Sequence, residues 1–348
     1  MEIIIDKTII GDNYPPYIIA EISANHNGSI ENALSLIEKS HKSGANAVKI
    51  QTYRPDTITL NSQRPDFKIT TGPWAGKTLY ELYEGAHTPW QWHQTLFEFA
   101  KEIGVTIFSS PFDKKAVDLL ENLGAPAYKI ASFEAIDLPL IRYVSQTNKP
   151  VIISTGMANK LEIAEAIITA RDAGCTQLGI LHCVSGYPAP VKDYNLKTIT
   201  DLKKNHNVVV GLSDHTLSNT TAIASIALGS SIIEKHVTLN RDGGGPDDSF
   251  SLLPFEFKNL CDASTEAWNA LGTINYEKKS SELQNSQFRR SLYFVKDIKM
   301  GEKLSQYNVQ SIRPGYGLAP KCIDDVLDKF ASKDIKAGTA VSWDLIRK

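Results

Sequence analysis

A (β/α)8 barrel of the TIM type, followed by a small C-terminal domain, is the α/β architecture this sequence predicts. Between Tyr17 and Glu234, eight short apolar runs alternate with segments of helical spacing. Strands buried on both faces read as unbroken apolar runs, and alternation with helices makes them parallel. Eight units over about 270 residues suit a closed barrel, which typically takes ~250. No GxGxxG stands at the first strand–helix turn, which removes the usual reason to prefer an open doubly wound sheet.

The elements follow in order. Tyr17–Ile22 is the first strand, and Ile30–Lys42 has helical spacing through Ala33, Leu34 and Ile37. Ala47–Gln51 is the second strand. A long insertion from Thr52 to Pro89, rich in Thr, Gly, Pro and Tyr, reads as a functional loop. Trp90–Ile103 is a helix with Thr88 as its cap and Pro89 at its first position. The remaining strands are Val105–Ser109, Ala127–Ala131, Val151–Ser154, Leu178–Cys183, Val208–Val210 and Ser231–Glu234. Their helices are Lys114–Leu123, Leu138–Thr147, Lys160–Ala173, Leu196–Asn205, Thr220–Leu228 and Pro254–Leu271. Residues 1–274 form the barrel domain. Residues 275–287 turn polar and read as a linker. Residues 288–348 form the small domain, in which Lys296–Ser305 nearly repeats as Lys333–Ser342. Each copy reads as a strand, a Gly turn and a second strand. So small a unit has little core of its own and is expected to lean on something larger.

The 348 residues carry a net charge of −2, which gives no global pull toward nucleic acid or anionic membrane. Four cysteines without CxxC pairing fit a reducing cytoplasm. The first residues are charged too soon for a signal peptide, and no apolar run approaches the ~18 residues of a membrane span.

Active sites of such barrels lie at the carboxyl ends of the strands. Those positions hold Glu21, Lys49, Gln51, Ser109, Ser110, Lys129, Ser132, Ser154, His182, Ser213, His215, Glu234 and His236. Two lysines and several serines describe a pocket for an oxygen-rich anion such as phosphate with carboxylate. His215 and His236 close neighbouring strands, an arrangement suited to a divalent metal. Two imidazoles with open positions suit Mn²⁺ or Co²⁺ better than Mg²⁺, which availability in the cell could still favour. Blander readings stand beside these. Glu21 could pair structurally with a lysine, the serines could be strand terminators, His182 and Cys183 read as structural, and His26 is open.

Several stretches together resemble the sialic acid synthase family. They are Ala20–Gly28, Val48–Tyr53, Tyr128–Ser132, Ser154–Met157, Gly211–His215 and Glu234–His236. The resemblance runs from about residue 16 to the end. Its last part, with Arg289–Leu292 and Ser311–Gly315, resembles an antifreeze-like domain of the SAF, or β-clip, type. The family condenses phosphoenolpyruvate with an acylated amino sugar. The resemblance implies that Lys129, Ser132, Ser154 and Ser213 hold the phosphate, and Lys49 and Ser110 the carboxylate. It implies sugar contacts from Gln51, Asp247 and Tyr187, metal binding by His215 and His236, and water activation by Glu21. It also implies a homodimer with swapped C-terminal domains, in which Arg313 reaches the partner's site.

Leu79–His93 and the Ser249–Leu252 segment resemble the branch that uses 2,4-diacetamido-2,4,6-trideoxy-L-altrose. Members using N-acetylmannosamine carry Gly-Pro-Asp-His where this chain has Asp248 last, although Gly243–Pro246 is closer to their pattern. The Asp247-Asp248 pair is therefore expected to set the sugar. The rivals are an N-acetylneuraminate or legionaminate synthase and, from a different class, a non-catalytic sugar-binding protein.

Overall fold

Alternation along each parallel strand decides what the barrel encloses. The computed structural model describes residues 1–72 and 74–347, and the chain divides into two units, Met1–Gly272 and Thr273–Lys348. In the first unit a hairpin of β1 (Glu2–Ile5) and β2 (Thr8–Gly11) precedes eight parallel strands. These are β3 (Tyr17–Glu21), β4 (Ala47–Thr52), β5 (Thr106–Pro111), β6 (Tyr128–Ile130), β7 (Val151–Ser154), β8 (Leu178–Cys183), β9 (Val209–Asp214) and β10 (Ile232–His236). Strand β10 pairs with β3 and closes the barrel.

Tyr17, Ile19, Ala47, Phe108, Ala127, Ile152, Leu181, Val209 and Ile232 form one inner cluster. Their neighbours, among them Ile18, Val48, Tyr128, Ile153, Val210 and Ile233, belong to the outer cluster that packs against the helices. Both faces are thus apolar, which is why the strands read as unbroken runs. Ile3, Ile5 and Ile10 of the hairpin join the inner cluster and complete the amino-terminal end of the barrel. The sequence reading did not anticipate this hairpin. Further along the strands the inward positions turn polar: Glu21, Lys49, Ser110, Lys129, Ser154, Ser213 and Glu234, all buried. The barrel is an apolar plug at one end and a charged cage at the other.

Two expectations change. The Thr52–Pro89 insertion is not a plain loop. It holds helices at Pro55–Ile58 and Leu79–Ala86, the latter started by a capping box of Thr78 and Glu81. Thr88 does not cap the next helix. A 3₁₀ turn at Trp90–Trp92 leads into His93–Ile103, and the Thr88 hydroxyl is buried without a partner. No helix among the described residues is long and apolar enough to cross a membrane.

The second unit has its own core, including Leu292, Phe294, Leu304, Val309, Val326 and Val341. Its two repeats do not each fold as a separate hairpin; they meet each other. Ile298 and Ile335 exchange backbone bonds of 2.8 Å in both directions. Lys299 pairs with Asp334 at 2.8 Å, and Lys336 pairs with Asp297 at 2.7 Å. The repeat in sequence is thus a local two-fold in structure. Arg313 follows Val309–Ile312, the strand paired with Ser291–Phe294, and is exposed.

Candidate active site

Strand register brings the charged positions face to face. Glu21 of β3 lies opposite Lys49 of β4 and His236 of β10, and Glu234 lies opposite Ser213 of β9. The Lys49 ammonium sits 2.6 Å from Glu21 Oε2 and 3.6 Å from Glu234 Oε1. Lys129 reaches the same Glu234 oxygen across the barrel at 3.2 Å. Two lysines and two glutamates therefore form a neutral buried cage. Stripping water from any one of these charges alone would cost several kcal/mol, so each is tolerable only in company. Burial works against Glu234, but Lys129 and Lys49 hold its carboxyl below the usual range. Burial likewise opposes the charge on Lys49, yet Glu21 and Glu234 keep its ammonium favoured. Burial pushes Glu21 the other way, upward, against the pull of Lys49. The bland reading of Glu21 as a partner of Lys49 is correct as geometry, and it places the carboxyl inside the cavity.

That cavity holds about 290 Å³ above the strand ends. Glu21, Lys49, Gln51, Lys129, Ser132, Ser154, Tyr187, Ser213, His215, His236 and Asp247, all singled out in the sequence, line it. Ser110 does not. It is fully buried, and its hydroxyl accepts from Lys49 at 3.1 Å. Gln51 donates to Glu21 Oε1 and to the Ser23 hydroxyl, each at 3.0 Å, and Ser23 donates to Asp247. One chain of hydrogen bonds thus runs from the cage to the loop after β10. A Cβ on Gly156 would stand 2.1 Å from the Ser185 hydroxyl and 2.8 Å from that of Ser132, so any other residue would displace both. The Gly156 amide donates to Ser132 at 3.2 Å.

The two imidazoles stand 5.4 Å apart by ring centroids. His215 Nδ1 donates to the Val184 carbonyl at 2.9 Å, which leaves Nε2 as the nitrogen available to a ligand. His236 Nδ1 is buried without a hydrogen-bond partner. Burial and the nearby His215, Lys49 and Lys129 hold His236 well below its usual pKa, hence neutral. Tyr187 lies 4.4 Å over the His215 ring. Burial opposes a charge on His215, but Cys183 and the Val184 carbonyl favour its protonated form; with that proton displaced, the two imidazoles fit a divalent cation. Among the described residues no group of three or more ligating side chains gathers there, so the remaining positions would fall to water or substrate. Cys183 lies 3.9 Å from His215 Nδ1, and His182 bonds the Tyr194 carbonyl. His26, left open by the sequence, is buried and accepts from the Gly28 amide at 3.1 Å.

Asp248 does not face the cavity. It accepts from Thr238, from Asn27 at 2.9 Å and from the Gly245 amide at 2.8 Å. The residue that departs from the N-acetylmannosamine pattern therefore shapes the loop, while Asp247 meets the ligand space.

Glu134 lines the cavity and was missed in the sequence because it follows its strand end in a 3₁₀ turn. Its Oε2 is buried and unpartnered, and burial pushes its carboxyl up from 4.5 to about 7. A raised carboxyl favours the folded state fully below the unfolded value of 4.5, and that contribution is lost as pH rises through about 7. Glu134→Gln should therefore gain melting temperature over the parent above pH 7 and gain nothing near pH 4.5. Parallel melting curves across that range would refute the buried carboxyl.

A model of the NeuB family matches residues 36–276, and one of the SAF domain matches residues 289–347. The pseudaminic acid synthase of Campylobacter jejuni subsp. jejuni serotype O:2 is 46% identical over 325 residues, 93% of this chain and 95% of that protein. The pseudaminic acid synthase of Helicobacter pylori is 42% identical over 335 residues, 96% and 98% of the two chains. A crystal structure of N-acetylneuraminic acid synthetase from Leptospira borgpetersenii, in complex with citrate, superposes with a TM-score of 0.74 at 29% identity. It covers 83% of this chain and 96% of that one. The closed barrel with its charged strand ends and the SAF domain that follows it in the sequence are those of a NeuB-family enzyme, and to that family the chain belongs.

Proposed function

We propose that this protein is a pseudaminic acid synthase. It condenses phosphoenolpyruvate with 2,4-diacetamido-2,4,6-trideoxy-L-altrose and water, releasing pseudaminic acid and phosphate by C–O cleavage. The likeness to two named pseudaminic acid synthases along nearly the whole chain supports this choice of sugar. The observation that carries the chemistry is unmet bonding capacity at the strand ends. Ser154 Oγ, Glu234 Oε2 and His236 Nδ1 are all buried there without partners, a state native proteins rarely leave unfilled.

Lys129 faces the phosphate, with Ser132, Ser154 and Ser213 as neutral donors, and Lys49 faces the carboxylate with Ser110 holding it from behind. The cage is neutral when empty, so the anionic ligand leaves it negative. A divalent cation, Mn²⁺ by ligand chemistry, held by His215 and His236 would offset part of that charge. Such a cation supplies Lewis-acid polarisation of the sugar aldehyde. The enol carbon attacks the aldehyde carbon, and a C–C bond forms as the carbon bearing phosphate becomes electron-poor. Water adds to that carbon, and Glu21, bonded to Gln51, takes its proton. The resulting tetrahedral centre expels phosphate. Gln51, Asp247 and Tyr187 orient the sugar. The second unit enters as the family resemblance implies, with Arg313 of one subunit completing the site of another in a swapped homodimer. Phosphoenolpyruvate as substrate places the reaction in the cytoplasm.

The test is phosphate release on mixing with phosphoenolpyruvate and each of three sugars: the trideoxy altrose, its legionaminate-type diacetamido relative and N-acetylmannosamine. The trideoxy altrose should react fastest, and in H₂¹⁸O the label should appear at C2 of the product. Label in phosphate would overturn C–O cleavage. Preference for either other sugar would reassign the enzyme to a legionaminate or neuraminate synthase, and no release with any would leave a binding protein.

A further inference from the structure

The cavity has two chemically distinct halves. Every charged or imidazole lining residue comes from the strand ends of the barrel or the loops that follow them. The opposite wall comes from the insertion after β4 and from the end of β5: Ile58, Trp74, Leu82, Tyr83, Ala86 and Phe112, with Tyr53 between them. None of these carries a charge.

This wall is built to stay in place. The Tyr53 ring makes edge contacts with Tyr83 at 5.7 Å and Phe112 at 5.1 Å. Trp74 donates from its indole to the Pro246 carbonyl at 3.0 Å and lies 5.9 Å from Tyr187. Leu82 sits mid-helix in Leu79–Ala86, behind the Thr78–Glu81 capping box, and is 7% exposed. Such a surface rewards methyl groups. A sugar hydroxyl pressed on its Ile58 and Leu82 side chains loses water and finds no partner on them.

Resting on the function proposed above, we propose that this insertion wall, centred on Leu82 and Ile58, is the acceptor-selecting surface. It takes the methyl-bearing end of a deoxy, acetamido sugar. The acceptor named above carries three methyl groups, one at C6 and one on each acetamido group. N-acetylmannosamine replaces the C6 methyl with a hydroxymethyl and one acetamido group with a hydroxyl. An apolar pocket discriminates such differences by roughly 10–200-fold. In the proposed function the lysine and serine side of the cavity is taken up by phosphoenolpyruvate, so recognition of the sugar's methyl groups falls to the apolar wall.

The experiment compares kcat/KM for the trideoxy diacetamido sugar and for N-acetylmannosamine in the parent, Leu82→Asn and Ile58→Thr. Ile58→Thr keeps the β-branched shape at a half-buried position, so it reports even if Leu82→Asn fails to fold. Each variant should lower kcat/KM for the trideoxy sugar about tenfold, leave KM for phosphoenolpyruvate within twofold and narrow the ratio between the sugars by a similar factor. A ratio unchanged in a folded variant, or a parallel rise in the phosphoenolpyruvate KM, would overturn the wall as selector. The parent's own ratio tests the proposed function separately. A parent preferring N-acetylmannosamine sinks that reading, while the change from parent to variant still measures the wall.

Discussion

His236→Ala should lose about 10³-fold or more in turnover and should lose Mn²⁺ binding as read by calorimetry on the protein alone. The expected size follows from how little else can take the place of this nitrogen. Its Nδ1 is buried with no partner, His215 is the only imidazole within ring contact among the described residues, and Asp247 Oδ2 stands 3.9 Å away. Substrate turnover alone would not separate a lost ligand from a collapsed pocket, because the ring also packs against Phe250 at 5.2 Å. His236→Gln preserves much of the volume and removes the imidazole. Equal loss of Mn²⁺ binding in both variants assigns the effect to the nitrogen. Intact Mn²⁺ binding in folded His236→Ala would sink the two-histidine site.

The barrel was legible because its strands are buried twice over. Val151–Ser154, Leu178–Cys183 and the helices Ile30–Lys42 and Pro254–Leu271 have the bounds read from the sequence. Where local pattern and tertiary partner compete, reading failed. Thr88-Pro89 has the form of a helix start, yet a 3₁₀ turn intervenes and the threonine points inward. The helix Leu79–Ala86 buries only Leu82 among its residues, too thin a stripe to stand out from a loop. Glu2 to Ile5 alternates visibly, but only the barrel end gives that alternation a meaning.

The site was legible as a list and illegible as a network. Polar residues ending apolar strands name Glu21, Lys49, Lys129, His215 and His236 without any coordinates. Pairing is another matter, because Lys129 and Glu234 are 105 residues apart and meet only through closure of the barrel. Glu234 therefore read as one polar strand end among many, although both lysines depend on it. Asp248 shows the reverse. Its departure from a motif was visible, while its bonds to the Asn27 and Thr238 side chains and the Gly245 amide, away from the cavity, were not. The apolar wall escaped because no single residue in it is unusual.

Lys235→Met should cost about 3–5 kcal/mol of stability, the expense of leaving one buried charge without its partner. Between inward Glu234 and inward His236, Lys235 points away from the cavity into a dry layer, where burial opposes the charge on its ammonium. It is 1% exposed, and its ammonium donates to Asp214 Oδ2 at 2.8 Å and to the Thr216 and Ser218 carbonyls at 2.7 and 2.8 Å. The last residue of β9 and two points of the turn after it, which begins with His215, are thereby tied to β10. In a unit of this size the loss should appear as a fall of roughly 10 °C in melting temperature. Lys235→Met with Asp214→Leu should recover part of it, since removing both charges abolishes the unpaired one. The same clamp sets where the His215 ring stands, so folded Lys235→Met should bind Mn²⁺ more weakly, roughly tenfold by the usual size of supporting-shell effects. A cost below 1 kcal/mol for the single change, or strict additivity in the double, would show that Lys235 and Asp214 act independently. Unchanged Mn²⁺ affinity would separate the turn from the imidazole it carries.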